Sequence, residues 1–160
     1  MSEQNKRLER RLIEEVWNRG NFAIVDELIA SDYIGHSSTP GDETNGREGY
    51  RQFYATLRKA FPDLRVTVED QIAEGDRVVT RWTACGTHGG EFQGIPPSGR
   101  HGAITGITID RVADGKVVEC WTNADDLGIL RLLGAVPALG QAGRSPARGE
   151  MTVEYKENAR

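Results

Sequence analysis

Residues 100–124 read RHGAITGITIDRVADGKVVECWTNA. From Arg100 to Val112 and again from Lys116 to Ala124 the side chains alternate with a period of two, and Asp114-Gly115 between them is the dipeptide of a tight hairpin turn. The segment therefore predicts two long antiparallel strands. Upstream, Arg65 to Ile72 and Arg77 to Thr87 carry the same period on either side of Glu74-Gly75-Asp76, a second hairpin. Before these strands the period is helical. Leu8, Leu12, Ile13, Val16 and Trp17 make one apolar stripe that Gly20 stops, and Phe22, Val25, Leu28 and Ile29 suggest a short second helix. Tyr50, Phe53, Tyr54, Leu57 and Phe61 make a third, opened by Asn45 with Glu48 as a capping box and ended by Pro62. Helices followed by a run of antiparallel strands argue for an α+β fold, with the helices packed on one face of a curved sheet.

The chain has 160 residues, enough for one ordinary domain with a real core. Twenty Lys and Arg against 24 Asp and Glu give a formal charge of −4, so no basic footprint for nucleic acid is present. Two cysteines, Cys85 and Cys120, form no CxxC pair and are expected to be free thiols. No apolar run reaches the length of a membrane span and the first residues are polar, so a cytoplasmic protein without a membrane partner is expected. His36 to Gly46 reads as a surface loop. Gly89-Gly90 through Gly99 reads as a tight, stiff loop, Leu127 to Leu133 as a closing helix turn capped by Gly134, and residues 140–160 as a tail that is mobile or contacts a partner subunit.

Strict alternation along the last strand puts Val117, Glu119, Trp121, Asn123 and Asp125 on one face, where a carboxylate in partly apolar surroundings could serve as a general base. The competing reading makes Asp125 the cap of the helix that follows. His36, His88 and His101 are spaced too irregularly for a local metal motif, and no nucleophile elbow or phosphate loop occurs. The aromatic residues, among them Tyr33, Phe61, Trp82 and Trp121, suit either a core or the wall of a pocket.

The order of local patterns is more specific than any one of them. DYIGH at 32–36, AFPDL at 60–64, EGDRV at 74–78, GTHGGEF at 86–92, GIPPSGR at 94–100, Arg111 with DGKVVE at 114–119, and Trp121 with Asp125 before LGIL and Leu133-Gly134 together resemble the SnoaL-like polyketide cyclases, or ester cyclases, of the nuclear-transport-factor-two-like superfamily. The resemblance spans Leu8 to Gly134. It implies a cone, in which a strongly curved antiparallel sheet wraps a pocket closed by the N-terminal helices, in a domain covering residues 1–139 that forms homodimers or higher oligomers. It also implies ring closure by intramolecular aldol condensation of a small hydrophobic carbonyl substrate, without cofactor or metal. By the same resemblance Asp125 is the acid/base and His36 and His88 assist it, while Asn123, Trp121, Tyr33, Trp82, Phe61 and Thr108 are expected in the substrate pocket. Thr108 stands where the polyketide cyclases carry a histidine, a departure that bears on the substrate. Alternatives in the same pocket are a cofactor-free oxygenase or hydroxylase, an isomerase, and a non-catalytic ligand-binding or dimerisation module.

Overall fold

A computed structural model describes residues 2–38 and 43–136; the expected tail at 140–160 lies outside them. The chain opens with α1, Ser2–Leu12, which continues through a wider π turn, Ile13–Asn18. After Gly20, whose φ of 69° suits a residue without a side chain, come a 3-10 turn at Phe22–Ile24 and the single-turn helix α2, Val25–Leu28. The strands are β1, Ile29–His36, and β2, Glu43–Asn45, then, after α3, Gly46–Ala60, the four long strands β3, Arg65–Glu74, β4, Arg77–Thr87, β5, His101–Ala113, and β6, Lys116–Ala124. Helix α4, Asp126–Leu133, closes the described fold and ends at Gly134 in the left-handed conformation. The six strands form one curved, unclosed sheet in the order β2-β1-β6-β5-β4-β3, with the N-terminal helices packed on its inner face.

The helices and hairpins follow local rules. Asp114 and Gly115 both have positive φ, as a primed two-residue turn requires. Phe61 ends α3 just before Pro62, whose ring cannot continue it. The open end of the first helix is closed from outside. Arg58 donates to the carbonyls of Trp17 and Asn18, and the Asn18 side chain bonds both the N–H and the carbonyl of Val66 on the edge strand β3. The core lies between helix and sheet, with Leu12, Val16 and Trp17 meeting Tyr50, Tyr54 and Trp82.

Four expectations need correction. Ile29 belongs to a strand, because the run to His36 pairs with β6 in parallel, Gly35 opposite Cys120 and His36 opposite Trp121. The loop expected from His36 to Gly46 contains the short strand β2, paired antiparallel to β1. Asn45 precedes α3 without making a side-chain cap bond, and Glu48 engages Gln52 instead of completing a capping box. The fourth concerns the phase of β6. Val112 pairs with Val117 and Arg111 with Glu119, so Val118 is an extra, bulged residue. The bulge lets Val117 point inward and be buried while Cys120, Thr122 and Ala124 also point inward. Alternation counted from Val117 therefore assigns the rest of the strand to the wrong side.

Candidate active site

Between the sheet and the helices lies a cavity of about 280 Å³, whose wall is mostly apolar. This is near the lower limit for a small-molecule site. Trp17, Tyr54, Leu57 and Phe61 wall it on the helix side, and Trp82, Ala84, Ile104 and Ala124 on the sheet side. Ser38, Phe53 and Asp126 also line it and are exposed, which places the mouth among them. Phe92 and Gln93 reach it from the β4–β5 loop, where Gln93 and Gly94, both at positive φ, form a tight turn closed by reciprocal bonds between Phe92 and Ile95.

The expected site residues separate into three groups. Tyr33, Phe61 and Trp82 line the cavity. Thr108 lies behind Trp82, accepting from its indole N–H at 2.9 Å and sitting 3.3 Å from the Thr122 hydroxyl. His36 reaches the cavity, but its imidazole is engaged elsewhere: Nε2 is 3.0 Å from Glu119 and the ring stacks on Trp121. Hydrogen bonds from His36 and then from Arg111 hold the Glu119 carboxyl below the usual range. Trp121 also carries Arg77 over its ring and, absent from the cavity lining, belongs to the outer face of the sheet. His88 is buried against Phe61, with Nδ1 bonded to the Ser98 hydroxyl and backbone N–H. It ties the β4–β5 loop together, and no bond joins it to Asp125.

Asp125, Asn123 and Trp121 do not line the cavity, because the Val118 bulge turns them outward. Asp125 is exposed and caps α4, accepting from the Gly128 N–H at 2.9 Å. Asp125→Ala is accordingly expected to cost about 1 kcal/mol of stability through loss of the cap, read from the shift in urea midpoint at unchanged slope. The carboxylate in the cavity lining is its neighbour Asp126.

Sequence reasoning missed the far, polar end of the cone. Glu9 and Asp110 are buried beside Tyr33, Tyr50, Thr108 and Cys120 around a narrow cleft adjoining the main cavity. Burial, and for Glu9 also the charge of Asp110, pushes both carboxyls up from their ordinary values. Burial likewise raises the Cys120 thiol and the Tyr33 and Tyr50 phenols. A signal existed for Glu9: it occupies the first position of the spacing 9, 12, 13, 16, which is the buried stripe of the helix.

The sequence model of the SnoaL-like polyketide cyclases matches residues 7–133. The chain belongs to this family. It is 30% identical over 129 residues to the aklanonic acid methyl ester cyclase DnrD of Streptomyces peucetius, covering 79% of this chain and 88% of that protein. A Jannaschia sp. CCS1 protein assigned to the SnoaL-like polyketide cyclases superposes with a TM-score of 0.78 at 30% identity, covering 85% of this chain and 95% of that one. AclR of Streptomyces galilaeus, by assignment a hydroxylase, superposes with a TM-score of 0.76 at 31% identity, covering 86% and 100%. Within the family fold, this SnoaL-like chain keeps the curved sheet and the helices that close it. No helix among its described residues is long and apolar enough to cross a membrane.

Proposed function

We propose that this SnoaL-like protein is a cofactor-independent cyclase, closing a ring by an intramolecular aldol-type step on a small hydrophobic carbonyl substrate. The observation that carries the reading is the mostly apolar cavity with a carboxylate, Asp126, at its open mouth. A carbon flanked by two carbonyls is acidic enough for a carboxylate to deprotonate, and an apolar pocket keeps water from competing. Asp126 takes the C–H proton, the enolate carbon bonds to a second carbonyl carbon, and the resulting alkoxide oxygen takes a proton back. The base is assigned to Asp126 rather than Asp125 because the Asp125 carboxylate lies outside the lining and is committed to the Gly128 N–H.

The test uses the methyl esters of aklanonic and nogalonic acids, the compounds for which the family relatives are named, together with simpler aromatic β-dicarbonyls. Ring closure gives a product of substrate mass less any water lost. Asp126→Asn is expected to lower kcat by about 10²–10⁴-fold, while Asp125→Asn keeps most of it. The opposite ranking would return the base to Asp125, and activity in both variants would end the acid/base assignment. The likeness to AclR favours a second reading, hydroxylation. That reaction adds an oxygen atom and stops under argon, whereas cyclisation does not.

The proposal carries with it a cytoplasmic homodimer. In support of association, Ile72, Val79, Ile109 and Trp121 lie in register as a row across the outer sheet face, with Ile72 64% exposed. An apolar row on an exposed sheet face fits burial against a second copy.

A further inference from the structure

The inner face of the sheet gives Trp82 an unusual bed. On β5 the residue paired with it is Gly106, and Gly106 pairs in turn with Ala124 on β6. Strand side chains ordinarily stand away from the sheet. The Trp82 indole instead leans across β5, so that its six-membered ring fills the space that a Cβ on Gly106 would need. Two residues further along β5, on the same face, Thr108 Oγ1 accepts the indole N–H at 2.9 Å and lies 3.3 Å from the Thr122 hydroxyl on β6. Trp82 and Thr108 are 5% and 3% exposed, and a buried N–H left without an acceptor is costly.

This lean decides where the cavity ends. Trp82 meets Trp17 from the helix side edge to face, with ring centres 6.1 Å apart and planes at 76°, and both rings line the main cavity. The polar cleft next to it is lined by Trp17 and Thr108 but not by Trp82, so the pair of indoles stands between the two spaces. Trp17 is held in the same manner, its N–H donating to Tyr50 Oη at 2.9 Å. With each indole N–H bound to a hydroxyl, neither ring turns without breaking a hydrogen bond. An upright Trp82 would project into the cavity and shorten it. A smaller ring at this position would let the cavity run on over Gly106 toward Thr108.

We propose that Trp82, leaned across Gly106 and held there by the Thr108 hydroxyl, is the depth stop of the cavity and sets the length of the ring system that a ligand can carry. This rests on reading the cavity as the substrate site and deepens that reading. Trp82 touches the ligand, and Gly106 and Thr108 are positioning residues that act through it. A ligand too long for the cavity must displace the indole, at the cost of its hydrogen bond to Thr108 and its edge-to-face contact with Trp17.

The probes are 2-acetylnaphthalene and 2-acetylanthracene, ketones that differ by one fused ring. Each is titrated into the full chain, with binding followed by the change in ketone emission, and the ratio of the longer ketone's Kd to the shorter one's is compared among variants shown by circular dichroism to be folded. Trp82→Phe is expected to lower this ratio about tenfold, because the added ring finds apolar space where the indole lay. Thr108→Val keeps the shape of the side chain but removes the acceptor, and is expected to raise the ratio about fivefold as the unpartnered indole turns toward the cavity. Thr108→Ser restores the hydroxyl and keeps the ratio within about twofold of the wild type. In the Trp82→Phe background, Thr108→Val changes the ratio by less than about twofold, since a phenyl ring has no N–H to hold. A ratio unmoved by Trp82→Phe, a Thr108→Val effect that persists undiminished in that background, or no binding of either ketone overturns the proposal. Should Thr108→Val not fold, the Trp82→Phe ratio decides alone. None of these measurements needs turnover. A chain that sorts the ketones as described yet closes no ring loses the proposed reaction and keeps the depth stop, while an active cyclase whose ratio is unmoved by Trp82→Phe loses only the stop.

Discussion

Raising the pH from about 5 to about 8 is expected to lower the Tm of the wild type by roughly 5–10 °C, and Glu9→Gln to remove at least about half of that fall. The cause is the buried carboxyl pair. In the unfolded chain both groups titrate near the ordinary value of about 4, whereas in the fold Asp110 is pushed up to about 7 by burial, and Glu9 is raised by burial and by the charge of Asp110. Between those limits the native state holds more protons than the unfolded one, so stability falls as pH rises. The stabilising contribution is complete below the unfolded value and is lost as pH rises through the folded one. Over the window it amounts to a few kcal/mol on the order of magnitude set by the shift. Glutamine at position 9 donates an amide hydrogen to Asp110 and favours its charged form, which moves the titration down and flattens the curve. Calorimetry of both proteins across the range checks this, and equal slopes would refute it. The opposite limb, at acid pH, belongs to groups such as Glu119, whose carboxyl is held low by His36 and Arg111.

Gly90→Ala is expected to destabilise the fold by about 2–4 kcal/mol, far more than the usual cost of adding one methyl group. Gly89 and Gly90 both donate to the carbonyl of Ala60, at 2.9 and 3.0 Å, and so seat the β4–β5 loop on the last turn of α3. A Cβ on Gly90 would collide with the carbonyl oxygen of Lys59 and crowd the Ala60 Cα. Those atoms are backbone at a helix end, so no side chain can turn aside to relieve the contact. The loop must lift, which breaks both hydrogen bonds and shifts Phe92 and Gln93 at the cavity wall. Gly75→Ala is the control. That glycine has a φ of 58° and nothing within 4 Å of the added carbon, so it should cost only about 1 kcal/mol, the conformational penalty. Denaturant unfolding at constant slope separates the two, and equal losses would remove the collision as the cause.

The difference between these predictions reflects how far along the chain the deciding contacts lie. The hairpins at 74–77 and 113–116 and the apolar stripe of α3 depend on residues a few positions apart, and all are legible. The strand β1 is not. Its sequence, IASDYIGH, lacks a clean alternation and becomes a strand because β6, some 85 residues later, offers a parallel edge. The face of β6 is hidden for a related reason. Only the register with β5 reveals that Val118 is an extra residue, and one extra residue reverses the direction of every side chain beyond it. That reversal takes Trp121, Asn123 and Asp125 out of the expected pocket and puts Thr122, Ala124 and Asp126 into its wall.

Periodicity, turn chemistry and the ordered short patterns between Leu8 and Gly134 thus determined the α+β class and the family, since each rests on local geometry that the residues impose wherever they occur. Tertiary structure alone decided which carboxylates matter. Glu9 and Asp110 stand about a hundred positions apart, and nothing near either one in sequence indicates that folding will bring them together with no cation among the described residues acting on them. Their proton is a property of the shared burial, and burial is established only when helix and sheet close on each other.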